Sequence, residues 1–279
     1  MRIYGWCHNG YHNLPAAEVV RRARLAKLDA LIIKYGDPAF EREISAAGIA
    51  WGVERFTYAS QAAREAGMLA DAIDAGATLA VANCEPNDGG GWGDAAAATA
   101  IRELVDRFRA RHPRVPLYIA ADLRAGRSLG APFLLEAARG GIDGWMAMVY
   151  PKAFRQPVEV AFDAAYPGPS YLGLPCAPVL QTYDDTGVPL VAAQISEALR
   201  RGAQAASIYV VETATDDELR AVAAAAAPPP APAVDPATLQ ATALAYRSGA
   251  IAILDHGTAA ELSAWGALFA GSGAVRGVS

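Results

Sequence analysis

Residues 78–94 read TLAVANCEPNDGGGWGD. After Thr78 come four apolar residues, Leu79 to Ala82. Asn83, Cys84 and Glu85 follow, and the chain then breaks at Pro86 into a glycine-rich stretch. A short apolar run bounded by turn residues is the pattern of a strand covered on both faces, as in a parallel sheet. Seven more runs have this character: RIYGWCH from Arg2, ALIIKYG from Ala30, IAWGVERF from Ile49, PLYIAADL from Pro116, GWMAMVY from Gly144, APVLQTY from Ala177 and ASIYVVE from Ala206.

Amphipathic helical patterns lie between them. PAAEVVRRARLAK sets Ala17, Val20, Ala23 and Leu25 against arginines. SQAAREAGMLADAIDAG begins at an N-cap candidate, Ser60, and stops at Gly76. DAAAATAIRELVDRFRARHP opens on Asp94 and ends before Pro113, with basic residues in its last turn. VPLVAAQISEALRRG and TDDELRAVAAAA complete the set, the last with Thr215 as N-cap and acidic residues in its first turn. Eight β-then-α units ending near residue 227 predict an α/β chain folded as a (β/α)₈ barrel, an architecture of roughly 250 residues. A doubly wound sheet is the alternative, and no GxGxxG follows the first strand to support a dinucleotide crevice. The domain reading is a barrel over 1–227, a stiff Pro-rich linker over 228–236 (PPPAPAVDP), and a small C-terminal helical segment over 237–279. That segment is too short for a large core of its own, so it is expected to dock on the barrel or on a partner subunit, with an attachment module as the sharper reading.

Of the 279 residues 53% are apolar, enough for a substantial core, and the formal charge of −5 is mild. No basic block with interleaved aromatics is present, which argues against a nucleic-acid partner. No apolar run spans a bilayer, and the alanine-rich tract near the C-terminus is broken by prolines. The N-terminus carries no export signal, so the expected location is the cytoplasm or release without a classical signal. Three scattered cysteines, Cys7, Cys84 and Cys176, form neither a metal-binding spacing nor a disulfide framework. No metal and no cofactor is expected, and the sequence does not give the oligomeric state.

In a (β/α)₈ barrel, chemistry sits at the C-terminal ends of the strands. Those ends carry Trp6, His8 and Asn9; Lys34 and Asp37; Glu54; Asn83 and Glu85; Asp122 and Arg124; Tyr150 and Lys152; Gln181, Tyr183, Asp184 and Asp185; and Glu212. Glu85 thus belongs to a polar ring. A glutamate among aromatic neighbours is partly desolvated and holds its proton toward neutral pH, and a second carboxylate then acts as base or nucleophile. This is the requirement of glycoside hydrolysis. Trp6, Trp92, Trp145, Tyr150 and Tyr183 are candidate faces for sugar rings, and Asn83 and Gln181 candidate partners for hydroxyls.

Each residue also has a plainer reading. Lys34 with Glu54 or Glu85 is equally a structural ion pair, and His8 and His12 are first-loop residues without a ligand-spaced partner. Trp145 reads as core, and Asp184–Asp185 as a turn that brings Asp184 beside the cleft. Cys84 alternates with Asn83 and Glu85 and is expected to face the helices as a buried thiol. GGGWG is expected to be a mobile loop, not a phosphate loop, because no Lys-Ser/Thr follows it.

Met148-Val149-Tyr150 on strand six, Glu85 on strand four and Gln181-Thr182-Tyr183 on strand seven resemble the barrel glycosidases of the chitinase and phage-type lysozyme kind. The resemblance implies Glu85 as proton donor and Tyr150 as the group that positions the sugar. The opening, with its tryptophan-bearing first strand and its Leu-Ile-x-Lys-x-Gly-Asp from Leu31 to Asp37, also resembles a group of uncharacterised glycosidase-like barrels. Val81 and Asn83 stand where the chitinase pattern has aspartates, and the strand-seven glutamate of another glycosidase clan is absent. The second carboxylate is therefore sought at Asp122, Asp184 or Glu212. The expectation is a glycoside hydrolase-like barrel acting on a glycan, cell-wall polysaccharide among the substrates, with Glu85 as general acid and Asp122 or Glu212 as its partner. The rival readings are a non-catalytic carbohydrate-binding or assembly protein, and a barrel enzyme using Lys34 as a Schiff-base amine.

Overall fold

A computed structural model describes residues 1–8, 14–34, 37–85, 90–93, 96–124, 131–167 and 171–227. Asn9, His12, Asp94, the linker 228–236 and the segment 237–279 lie outside the described residues. The elements alternate as the apolar runs predict. They are β1 (Arg2–Cys7), α1 (Ala16–Leu25), β2 (Ala30–Lys34), α2 (Pro38–Ala46), β3 (Trp51–Phe56), α3 (Ala62–Asp74), β4 (Ala80–Asn83), α4 (Ala97–Arg111) and β5 (Leu117–Ala121). Then come α5 (Ala131–Gly140), β6 (Gly144–Val149), α6 (Pro151–Phe154), α7 (Val158–Ala165), β7 (Val179–Gln181), α8 (Val188–Arg200), β8 (Ala205–Tyr209) and α9 (Asp216–Ala226).

The eight strands run parallel and close on themselves in sequence order, a (β/α)₈ barrel. Closure is made where β1 pairs with β8, Tyr4 lying opposite Ser207, while its other edge pairs with β2, Tyr4 opposite Ala30. Alternation divides the core in two. Tyr4, Trp6, Ile32, Val81, Ala120, Met146 and Val179 form the cluster inside the ring. Their neighbours in sequence, among them Cys7, Ile33, Ala82 and Cys84, join the outer cluster between sheet and helices. Helix α4 shows how the outer layer is filled. Ile101, Leu104, Val105 and Phe108 form its buried face, and each such side chain contributes about 1.5–3 kcal/mol relative to exposure.

Local signals set the element ends. Thr215 caps α9 in a full capping box: its hydroxyl accepts from the Glu218 amide, and the Glu218 carboxylate accepts from the Thr215 amide. Gly76 ends the α3 region at φ 115°, a conformation glycine adopts without a Cβ penalty. Ser60 does not cap α3. It lies in a 3₁₀ turn, Ala59–Gln61, and Gln61 occupies the N-cap without a side-chain bond. The eighth strand also ends earlier than its apolar run. It stops at Tyr209, where a cis peptide leads to Val210, and Glu212 lies three residues further on. No helix among the described residues is long and apolar enough to cross a membrane.

Candidate active site

Above the apolar layers the inward positions turn polar, and a cavity of about 230 Å³ opens there. Strands β1 to β4 and the residues just beyond them contribute Trp6, His8, Lys34, Glu54, Phe56, Asn83 and Glu85. Met148, Tyr150 and Tyr209 close the opposite side. These residues are remote in sequence and share a cavity because each sits at an inward position at the top of its strand.

Glu54 is the deepest charged group, 2% exposed. Burial pushes its carboxyl up to about 7. The Lys34 charge, a hydrogen bond from the Asn83 side chain and the Arg55 charge pull the other way. Lys34 and Glu54 are direct partners in the β2–β3 register. The Glu54 Oε2 and Asn83 Oδ1 atoms are buried without a hydrogen-bond partner among the described residues. Glu85 stands higher and is half-buried. Its charge is felt by Tyr150 and Tyr209, so both phenols lie within its field.

The wall opposite is aromatic. Tyr150 stands 5.6 Å from Tyr183 and 5.9 Å from Tyr209, ring centre to ring centre. Burial pushes the Tyr150 phenol well above its ordinary range, and the neighbouring tyrosines and acids add to the shift. Trp6 is 1% exposed and donates its indole N–H to Ser207 Oγ at 2.9 Å, so it forms wall and not an open platform. His8 Nδ1 lies 3.3 Å from the Tyr209 hydroxyl, and its Nε2 3.9 Å from Glu54 Oε2.

Seven of the residues expected at the mouth line this cavity: Trp6, His8, Lys34, Glu54, Asn83, Glu85 and Tyr150. The others are placed differently. Asp122 is held by Arg124 at 2.6 Å, and the Arg124 guanidinium lies 3.5 Å from the centre of the Phe154 ring. Glu212 is buried beyond the end of β8, where Arg22 reaches its carbonyl. Gln181 is fully buried, and its amide oxygen accepts from the backbone of Lys152 and Ala153, both at 3.1 Å, at the start of α6. Tyr183 stands behind Tyr150 and Tyr209, 5.8 Å from the latter. Asp184 is exposed in a turn at φ 58°, and its carbonyl accepts from Lys152 Nζ. Among the described residues no group of three or more His, Cys, Asp or Glu side chains is placed to hold a metal.

Two tryptophans named as sugar platforms are core residues. Trp145 and Trp92 are both 0% exposed. Trp92 donates its indole N–H to the Thr57 carbonyl at 2.8 Å and packs edge-on against Phe133. That corrects the reading of GGGWG as a mobile loop at Trp92, because this side chain is fully buried and hydrogen-bonded. Gly90 lies close against the site. A Cβ there would stand 2.8 Å from the Glu85 carbonyl oxygen and 3.1 Å from that of Thr57. Cys84 faces outward, its Sγ 3.4 Å from Thr57 Oγ1, with its thiol pushed up by burial.

Phe56, Met148 and Tyr209 line the cavity without having been expected there. Alternation would have found them. Phe56 lies two residues after Glu54, Met148 two before Tyr150, and Tyr209 two after the inward Ser207.

No family model and no curated protein matches the sequence. Solved structures match its fold. A chitinase from Chromobacterium violaceum is 12% identical, with 82% of this chain and 99% of that one covered and a TM-score of 0.57. A chitinase-like agglutinin from Robinia pseudoacacia is 11% identical, with 80% and 99% covered and a TM-score of 0.60. A class V chitinase from Nicotiana tobaccum is 9% identical, with 81% and 98% covered and a TM-score of 0.57. At such identities the likeness is one of fold: this chain shares the (β/α)₈ barrel of these proteins.

Proposed function

We propose that the chain hydrolyses a glycan, holding one sugar ring in the mouth cavity and using Glu85 and Glu54 as its two carboxyl groups. The observation that carries this reading is that two glutamates from adjacent strands open into one aromatic-lined cavity in different surroundings, Glu54 buried and Glu85 half-exposed. Carboxyl groups held in contrasting environments are how one site supplies both acid and base. Glu85, nearer the rim, gives a proton to the departing glycosidic oxygen as the bond to the anomeric carbon breaks. Glu54 takes a proton from the water whose oxygen bonds to that carbon. A carboxyl with its midpoint at about 7 is suited to accept a proton near neutral pH. Tyr150 and Tyr209 border the ring. The cavity of about 230 Å³ lies below the roughly 300–1,000 Å³ of drug-sized ligand sites, in keeping with a single ring held at its centre.

Glu54 takes the place sought at Asp122 and Glu212, because neither of those lines the cavity. The fold neighbours make chitin-type oligosaccharides the first substrates to try, followed by peptidoglycan fragments. Glu85→Gln is expected to lower release of reducing ends at least 100-fold while isothermal titration still detects binding. Full turnover in that variant would sink the assignment. The second reading is a glycan-binding barrel without turnover. It is favoured by Lys34, whose charge acts on Glu54 inside the same cavity, and it predicts oligosaccharide binding with no cleavage by the wild type.

A further inference from the structure

The mouth contains a titratable group that the proposed reaction leaves unused. His8 stands just beyond β1, between the end of β8 and the end of β3. Its ring is edge-on to Tyr209, with centres 5.0 Å apart and planes at 88°. One nitrogen, Nδ1, lies 3.3 Å from the Tyr209 hydroxyl, and the other, Nε2, lies 3.9 Å from Glu54 Oε2. That carboxyl oxygen is buried and has no hydrogen-bond partner among the described residues. The side chain of Glu54 is 2% exposed and that of His8 is 16% exposed. A buried carboxyl that gains and loses protons needs a route to solvent, and His8 is the more exposed member of the two.

We propose that His8 and Glu54 form an acid–base dyad holding one shared proton, with Tyr209 as the positioning residue that turns His8 Nε2 toward the carboxyl. The Tyr209 oxygen accepts from Nδ1–H, which leaves the Nε2 lone pair facing Glu54. When the carboxyl is protonated and the two side chains close the 3.9 Å gap between them to hydrogen-bond distance, its O–H hydrogen passes to Nε2: the O–H bond breaks, the N–H bond forms, and the products are a carboxylate and an imidazolium. The bond from Nδ1 to Tyr209 is the same in both states. Burial and the surrounding acids push the Tyr209 phenol up, so it stays un-ionised throughout. Lys34 from β2 and Arg55 from β3 favour the carboxylate. Glu85 beyond β4 and Glu212 beyond β8 act on Tyr209, in contact with His8. Tyr150 from β6 lines the same space and, with its phenol pushed far up, stays neutral. The dyad's part in hydrolysis, returning the proton taken from water to solvent, rests on the proposed function; the pairing itself does not.

The test is a pH titration of the full chain from about pH 4 to 9 by NMR, with ¹³C-labelled glutamate carboxyls and ¹⁵N-labelled histidine. In the wild type the Glu54 and His8 signals are expected to show two steps at shared midpoints. In Glu54→Gln, His8 is expected to titrate in one step. Its midpoint should fall by about 0.8 pH unit or more, the size of a Coulomb interaction across this gap in a water-like medium. Tyr209→Phe is expected to lower the share of the Nδ1–H tautomer. An unchanged single His8 midpoint in Glu54→Gln overturns the dyad. Should that variant not fold, independent midpoints for the two wild-type signals overturn it equally. Absence of turnover on every glycan would instead remove the proposed function and leave these titrations as they are.

Discussion

Glu54 makes folding stability depend on pH in an unusual direction, and Glu54→Gln isolates the effect. Burial raises the carboxyl from an ordinary 4.5 to about 7, so between those values the folded chain binds a proton that the unfolded chain has released. Stability at this group is therefore greatest below about pH 4.5. It declines as pH rises through the window and levels off above about 7. At about 1.4 kcal/mol per pH unit, the charged form costs the folded state about 3 kcal/mol. Glutamine keeps the shape and can still accept from Asn83, but it never ionises. At pH 4 the two proteins should unfold alike. At pH 8.5 the variant should be the more stable by about 3 kcal/mol, which for a domain of this size is a rise in Tm of roughly 6–12 °C. Thermal and urea unfolding at a series of pH values, compared as differences so that other titrating groups cancel, provide the measurement. A difference that is the same at pH 4 and pH 8.5 would refute the buried, proton-holding carboxyl. A variant less stable at pH 8.5 would mean that attraction to Lys34 outweighs burial, and the base assigned here would be a permanently charged ion-pair member.

Three further substitutions probe the frame around the cavity. Gly90→Ala places a methyl group 2.8 Å from the Glu85 carbonyl and 3.1 Å from that of Thr57, so the backbone has to move. Turnover of any glycan the wild type cleaves should fall about 10–100-fold, the usual consequence of a misplaced catalytic group, and an unchanged rate would show that Glu85 is not held by this contact. Trp92→Phe keeps an aromatic ring but removes the N–H bonded to the Thr57 carbonyl, and it should cost about 1–2 kcal/mol in urea unfolding; no loss would mean the indole bond is dispensable. Thr215→Ala removes the α9 capping box and should cost about 1 kcal/mol by the same assay, with no change in glycan binding.

The ring of strands was legible because its signal is local. Each apolar run reports its own burial on two faces, and the order β1 to β8 follows once every connection is a helix. Much of the cavity was legible for the same reason, since Trp6 and His8, or Asn83 and Glu85, are two residues apart at one strand end and share a face. What alternation does not contain is the point where a strand ends and what lies beside it in space. Glu212 belongs to the apolar run of the eighth strand, but the strand stops at Tyr209, which takes the place in the cavity. Asp122 is at the end of β5, where the count puts it, and its charge goes to Arg124. Trp92 sits in a stretch whose glycines suggest looseness, and it is buried by a carbonyl 35 residues earlier in the chain and by an aromatic ring on α5. The ionisation of Glu54 is of this second kind. It is fixed by how much of the barrel covers the side chain and by Lys34 and Asn83 on the two flanking strands, with Arg55 beside it on its own. The chemistry of the mouth is thus set by distances between elements, and the measurements most able to move the assignment are those that read one group's proton while its neighbour is changed.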